Sequence, residues 1–270
     1  MNSKVSVIMG IYNCADTLAQ AIDSIIGQTY TNWELIMCDD ASKDETYQIA
    51  LQYKNKYQEK ITVIRNEKNL GLNETLNRCL LLVQGDYVAR MDGDDISLPE
   101  RFDKEVRFLD THPEYAIVST PMFFFDENGV WGKSCAIEIP TIRDFVFHAP
   151  FHSHAPCMIR REAYEMVDGY TVDKKLLRYE DCNLWYKLYT AGYRGYNLQD
   201  PLYMMRDGRD AYTRRTFSSR MRAVYVQWVG FRMIKMPFCY YPYLVIEFIK
   251  NFVLAILPER MYRTIHRGKK

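Results

Sequence analysis

The chain has 270 residues, 48% of them apolar and 26% charged, which excludes a disordered or fibrous polymer and allows one substantial core plus an appendage. Its net charge of +1 gives no ground for a nucleic-acid partner. The distribution says more: residues 208–270 hold 13 Lys/Arg against 3 Asp/Glu, whereas the first 207 hold 22 against 31, so an acidic body carries a basic tail.

Residues 5–11 are a dense β-branched run, as expected of a parallel strand buried on both faces. The apolar stretch is too short for a secretory leader, being broken by Tyr12 and Asn13. Asp16 offers an N-cap for a helix in which Leu18, Ile22, Ile25 and Ile26 recur at helical spacing up to Gly27. Residues 33–38 read as a second strand running into Asp39-Asp40, 44–56 as a helix, and 61–65 as a third strand. A helix over 72–83 and a fourth strand over 87–91 come next, the strand ending at Asp92, and Leu98-Pro99 reads as the next helix start. Such alternation predicts right-handed crossovers and an α/β fold with an open, mostly parallel sheet flanked by helices. After residue 115 the rhythm changes. Strands over 116–125 and 130–139, joined at Glu127-Asn128-Gly129, predict a small antiparallel region. Helices are expected over 161–167 and 181–191, the second stopped by Gly192, and the segment from about Arg220 is helical and aromatic-rich.

In open α/β sheets ligands sit beyond the carboxyl ends of the strands. Tyr12-Asn13, Asp39-Asp40 and Asp92-Gly93-Asp94-Asp95 fall at three such ends. The last of these crowds carboxylates that repel one another unless a cation lies between them. A hard divalent ion with oxygen ligands, Mg²⁺ or Mn²⁺, relieves that repulsion and can bridge a substrate diphosphate. The seven cysteines are odd in number and form no CxxC pair, which fits free thiols in a reducing cytosol better than disulfides or a zinc site.

Linked motifs then run in order: Val5-Ser6-Val7-Ile8 through Tyr12-Asn13, Ser24-Ile25-Ile26-Gly27-Gln28-Thr29, Glu34-Leu35-Ile36, and Asp39-Asp40-Ala41-Ser42-Lys43-Asp44-Glu45-Thr46. Asn69-Leu70-Gly71-Leu72, Gly85-Asp86-Tyr87-Val88-Ala89 and Arg90-Met91-Asp92-Gly93-Asp94-Asp95 continue the series. Over about residues 4–205 the chain resembles family 2 glycosyltransferases of GT-A fold, of the bacterial surface-polysaccharide type. The resemblance implies that Tyr12 and Asp40 hold the nucleotide base, commonly uracil, with Asp92 near the ribose and Asn13 also on the nucleotide sugar. It makes Asp94 the main metal ligand, and Asp95 a supporting carboxylate or the start of the next helix. Glu180-Asp181 resembles the family's Glu-Asp motif, in which the Asp deprotonates the acceptor hydroxyl. An inverting displacement needs one such base on the face opposite the leaving group. Read without the resemblance, the pair is equally a helix start favoured by the macrodipole. His154, in His154-Ala155-Pro156, matches the acceptor side. Many relatives carry Tyr-x-x-His where this chain has Tyr203-Met204-Met205-Arg206. An arginine cannot ligate a metal but pairs with phosphate oxygens. Either Arg206, with Arg209 or Arg214-Arg215, takes over diphosphate stabilisation, or the metal is held more weakly.

Residues 243–257 are mostly apolar but short for a membrane span, and Glu247, Lys250 and Asn251 share one helical face. That suits an in-plane helix at a membrane surface, with Tyr240, Tyr241 and Tyr243 at headgroup depth and Arg260, Arg263, Arg267, Lys269 and Lys270 toward anionic lipid. Packing on the catalytic domain or on a partner subunit is the other reading. The expectation is therefore a catalytic domain over 1–215 and a helical extension over 216–270. The enzyme expected is a cytoplasmic one, peripheral at the inner face of the membrane, moving sugar from a UDP-sugar to a glycan or lipid-linked sugar acceptor. Two alternatives are a metal-dependent nucleotidyltransferase and a non-catalytic GT-A-like partner subunit. The first wants a Gly-rich phosphate loop that Gly10-Ile11-Tyr12-Asn13-Cys14 lacks, and the intact Asp40, Asp94 and Asp181 speak against the second.

Overall fold

The computed structural model describes residues 3–147, 151–207 and 216–256. The first half matches the predicted alternation: β1 (Val5–Ile11), α1 (Ala15–Ile26), β2 (Trp33–Asp39), α2 (Thr46–Lys56), β3 (Ile61–Arg65), α3 (Leu72–Leu80) and β4 (Tyr87–Arg90). β1 lies between β2 and β4, parallel to both, and all but one of its residues are buried, which is why its sequence is apolar on both faces. α1 starts at Ala15 rather than being capped by Asp16, which is exposed in its first turn. The unpaired N–H groups at its start are taken up from the loop after β2 instead. Asn13 N–H donates to Ser42 Oγ (3.0 Å), Cys14 N–H to Thr46 Oγ1 (2.8 Å) and Ala15 N–H to Asp44 Oδ2 (3.2 Å). Tertiary capping from residues thirty positions away is invisible to a local motif.

Beyond β4 come β5 (Ile96–Ser97), α4 (Arg101–Thr111), β6 (Ile117–Ser119), β7 (Met122–Asp126), β8 (Gly129–Lys133) and α5 (Asp144–Phe147). The strand predicted over 116–125 is two strands in two sheets. Pro121 separates them and lacks the N–H that a continuous ladder would use. Leu98-Pro99 precedes α4 without starting it. The chain continues through β9 (Met158–Arg160), α6 (Arg161–Met166), α7 (Glu180–Thr190), β10 (Gly195–Asn197), β11 (Tyr203–Arg206), α8 (Phe217–Met233) and α9 (Pro242–Ile256). The large sheet has the order β10-β6-β9-β4-β1-β2-β3, parallel except for β9, and the small one the order β5-β11-β7-β8.

Two apolar layers cover the large sheet. One packs α1, α2 and α4 on it through Leu18, Ile22, Ile25, Ala50, Phe102 and Leu109. The other joins α3, α6 and α7 to it through Leu76, Ala163, Leu184 and Trp185, and also takes in Val226 and Phe231 of α8 and Leu244 of α9. Gly230 lets α8 lie close against α7, because a Cβ there would stand 2.1 Å from the Tyr186 ring. On α9, Leu244, Glu247 and Asn251 form the buried or half-buried side, while Val245, Ile246, Phe248, Ile249, Phe252 and Val253 are exposed. Among the described residues no helix is long and apolar enough to cross a membrane. All seven cysteines are free.

Candidate active site

Parallel register sets the carboxyl ends of β4, β1 and β2 side by side: Ile8 pairs with Arg90 and Ile11 with Asp39, while Met91 N–H donates to Ile8 O and Asp40 N–H to Ile11 O. A cavity of about 380 Å³ opens on this edge, lined by Gly10, Tyr12, Asn13, Cys14, Asp16, Thr17, Asp92, Gly93, Asp94 and Arg206. Five of the expected residues, Tyr12, Asn13, Asp92, Asp94 and Arg206, therefore share one wall. Asp40 lies outside that lining. It is buried, and its carboxylate accepts from Asn66 Nδ2 (2.7 Å), Leu70 N–H (2.8 Å) and Gly71 N–H (2.9 Å). It thereby fixes the turn into α3, where Gly71 adopts a φ of +89°.

The three acidic side chains of the loop after β4 have different partners. Asp92 receives a bidentate ion pair from Arg90, Nη1 to Oδ2 at 2.8 Å and Nη2 to Oδ1 at 2.6 Å. Asp95 is buried and starts no helix; β5 comes directly after it. Burial first, then the charges of Asp92 and Asp94, push its carboxyl up to about 8, while the Arg206 N–H (2.8 Å) and Tyr203 oppose the shift. Asp94 is exposed and free to take a ligand, and partial desolvation, then the Asp92 charge, holds it above the ordinary carboxylate range.

Arg206 arrives through the small sheet, because β11 pairs antiparallel with β5 immediately after the acidic loop. Its Nε–H donates to Asp94 O (3.0 Å), its Nη2 to Gln20 Oε1 (2.7 Å), and its guanidinium lies 4.5 Å from the Phe125 ring centroid. Arg209, Arg214 and Arg215, like Arg260, Arg263, Arg267, Lys269 and Lys270 of the tail, lie outside the described residues.

The acceptor-side candidates reach the same edge by a reversal. β9 runs antiparallel beside β4, so its N-terminal end abuts the C-terminal end of β4 (Ala89 opposite Met158), and His154 precedes it there. His154 Nε2 hydrogen-bonds the Tyr170 hydroxyl at 2.8 Å and its ring stands edge-on to Trp185 of α7. Burial, then the Arg90 charge, holds its pKa well below the ordinary value, so the imidazole is neutral. Asp181, half-buried in the first turn of α7, accepts from Cys182 N–H at 2.8 Å. Its carboxyl is raised, chiefly by burial and then by Glu180, against the Cys182 hydrogen bond and Arg90. A carboxylate held above its usual range accepts a proton more readily.

Among the described residues no three His, Cys, Asp or Glu side chains group into a metal cage. The loop after β4 fits another mode, in which Mg²⁺ or Mn²⁺ is held by one or two carboxylates plus substrate phosphates. Asp94 is the exposed carboxylate available for that, since Asp92 is engaged by Arg90 and Asp95 is buried.

Sequence reasoning missed Arg90, Tyr170 and Gln20. A cationic residue within the otherwise apolar end of the expected strand 87–91 was the available signal for Arg90. Nothing local marked the other two.

The large, mostly parallel sheet flanked by helices is that of the GT-A fold. The mannosyltransferase PcManGT of Pyrobaculum calidifontis, solved with GDP-Man and Mn²⁺, matches with a TM-score of 0.66 at 18% identity, over 99% of this chain and 80% of its own. The sequence profile of Glycosyl transferase family 2 matches residues 6–167. EpsE of Bacillus subtilis, named as a glycosyltransferase, is 43% identical over 265 residues, 97% of this chain and 95% of that protein. WfaP of Escherichia coli, a UDP-Glc:α-D-GlcNAc-diphosphoundecaprenol β-1,3-glucosyltransferase, is 27% identical over 210 residues, 76% of this chain and 78% of its own. The chain belongs to glycosyl transferase family 2, and it is a glycosyltransferase.

Proposed function

We propose that the protein transfers a hexose or N-acetylhexosamine from a UDP-sugar, with inversion, to a hydroxyl of a lipid-linked glycan. The observation that carries this reading is the shared edge, with Asp92, Asp94 and Arg206 around one cavity and the raised carboxyl of Asp181 across β4 and β9 from them. Tyr12, Asn13 and Asp40 hold the uracil; Asp40 Oδ2, which accepts from Gly71 N–H, keeps a second lone pair for it. Asp92 takes the ribose and Arg206 pairs with diphosphate oxygens. Asp94 holds a divalent cation, Mn²⁺ or Mg²⁺, which when bound offsets charge on the departing diphosphate. Asp181 accepts the acceptor hydroxyl's proton as that oxygen attacks the anomeric carbon, Glu180 keeps its carboxyl raised, and neutral His154 orients the acceptor. The UDP-Glc donor and diphosphoundecaprenol-linked acceptor named for WfaP support this substrate class, and the Mn²⁺ bound by PcManGT supports the metal.

Residues 1–215 carry the chemistry in this reading and 216–270 the attachment. The exposed apolar face of α9, with five Arg/Lys residues after it in sequence, suits a lipid surface rich in anionic headgroups, at the inner face of the cytoplasmic membrane. A thermal-shift screen of nucleotides and nucleotide sugars, with and without Mn²⁺, tests the donor half. Stabilisation by UDP that needs the metal is expected, and indifference to every uridine nucleotide would refute it. Co-sedimentation with vesicles of anionic and of neutral lipid tests the attachment.

A further inference from the structure

Arg90 is among the least exposed charged side chains in the protein, at 5%. Its backbone is pinned on both sides: Arg90 N–H donates to Cys157 O (2.9 Å) on the β9 side, and Arg90 O accepts from Arg101 Nη2 (3.1 Å). The guanidinium fork grips both oxygens of Asp92 and leaves Nε buried with no hydrogen-bond partner among the described residues. Burying a cation costs several kcal/mol, which the partner charge has to offset. Here burial is the largest influence, but Asp92 together with Tyr170, Tyr203 and Cys157 outweighs it and leaves Arg90 more firmly protonated than usual. The same charge reaches the other half of the site, acting on His154 and Asp181. A purely structural need at this strand end would be met by an apolar side chain, as at Val88 and Ala89 on the same strand.

We propose that Arg90 is a positioning residue that ties the two halves of the site together, fixing Asp92 toward the donor through its fork while its buried charge, on the strand edge bonded to Cys157, acts on the base Asp181. This rests on the roles given above to Asp92 and Asp181. Two effects separate. The fork is a matter of geometry, which lysine cannot reproduce. The charge is a matter of sign, which lysine keeps. Among the described residues, the titratable and charged groups that interact electrostatically with Asp181 are Glu180 and Cys182 on α7, Cys157 before β9, and Arg90 on β4. Of these Arg90 alone is positive, so removing it pushes the Asp181 carboxyl higher still.

The test uses the full chain with UDP and Mn²⁺ as the probe, and has two readouts. Calorimetry of UDP binding reads the Asp92 arm. Carbon-13 NMR titration of the Asp181 carboxyl, assigned by its absence from Asp181→Asn, reads the other arm without any substrate. Arg90→Lys is expected to lose about tenfold in UDP affinity, the scale of one charge-assisted hydrogen bond, with the Asp181 midpoint unmoved. Arg90→Met is expected to lose the same affinity and to raise the Asp181 midpoint by about one pH unit. If Arg90→Met does not fold, Asp92→Asn replaces it: it breaks the fork from the other side, should weaken UDP as Arg90→Lys does, and should leave the Asp181 midpoint unmoved. Wild-type UDP affinity in Arg90→Lys, or an Asp181 midpoint unmoved in folded Arg90→Met, overturns the proposal. Failure of the wild type to bind UDP refutes the donor reading instead, and the Asp181 titration still tests the coupling.

Discussion

The two halves of the site handle charge in opposite ways. On the donor side carboxylates stay close together and are balanced by cations: Arg90 on Asp92, Arg65 on Asp39 at 2.9 Å, and Arg206 laid across the acidic loop. On the proposed acceptor side the groups around the carboxyls of Glu180 and Asp181 are uncharged imidazoles and phenols. His152 bonds Asn197 and Tyr189, His154 bonds Tyr170, and Tyr170 bonds Tyr164. The first arrangement can receive a highly charged diphosphate and a cation with little rearrangement. The second suits an uncharged sugar hydroxyl, consistent with the role of proton acceptor proposed for Asp181. Aligned strand ends build the donor half, whereas the acceptor half depends on one reversed strand and an aromatic cluster.

Breaking the acceptor half at its base should have the largest effect. Asp181→Asn is expected to lower transfer on the order of 10²- to 10⁴-fold with UDP affinity unchanged, checked by initial rates beside calorimetry. On the donor half, Asp94→Ala should cut metal-dependent turnover on the order of 10²-fold. Its melting temperature without metal should hold or rise, because a like charge has gone. The contrast in charge handling also predicts a pH signature. The folded pKa of His152 is lowered by burial to about 4, against its Asn197 hydrogen bond. A lowered pKa contributes stability above the ordinary value of 6.5, and that contribution is lost as pH falls through 4. Urea denaturation over that window should show a loss on the order of 3 kcal/mol that His152→Gln flattens. Gly230→Ala should cost about 1–3 kcal/mol by forcing α8 off Tyr186, without altering UDP affinity at the distant edge. Arg206→Lys is the smallest: about a fivefold rise in donor KM, roughly 1 kcal/mol, read from donor saturation curves.

The donor half was legible because its information is local. A parallel strand buried on both faces announces itself as an apolar run, as in residues 5–11 and 33–38, and the residues just past such a run must lie on the ligand-bearing edge. The fold class emerged from the same alternation. The acceptor half was legible only as motifs, since nothing in His154 or Asp181 tells that β9 reverses and brings them beside β4. The two- to four-residue strands β5, β10 and β11 carry too few residues to show a period; only the partner strands reveal them. Pro121 is a readable breaker inside the expected strand 116–125, because it brings no N–H to a continuous ladder. On α9 the spacing of Glu247, Lys250 and Asn251 was read correctly as one face, but two of the three turn out half-buried beside Leu244.

The free cysteines have a practical consequence for anyone wishing to attach probes. Cys38, Cys79, Cys157 and Cys182 are buried, and burial pushes the half-buried Cys14 thiol at the cavity rim up to about 11, so it is scarcely ionised at neutral pH. Cys135 and Cys239 are exposed. A maleimide dye therefore finds two addresses on the native protein. One lies just past β8, and the other stands just ahead of α9, next to the exposed Phe238. With Cys135→Ser the dye reports from the α9 side alone, and its emission colour on adding vesicles becomes a direct gauge of how near that helix comes to lipid.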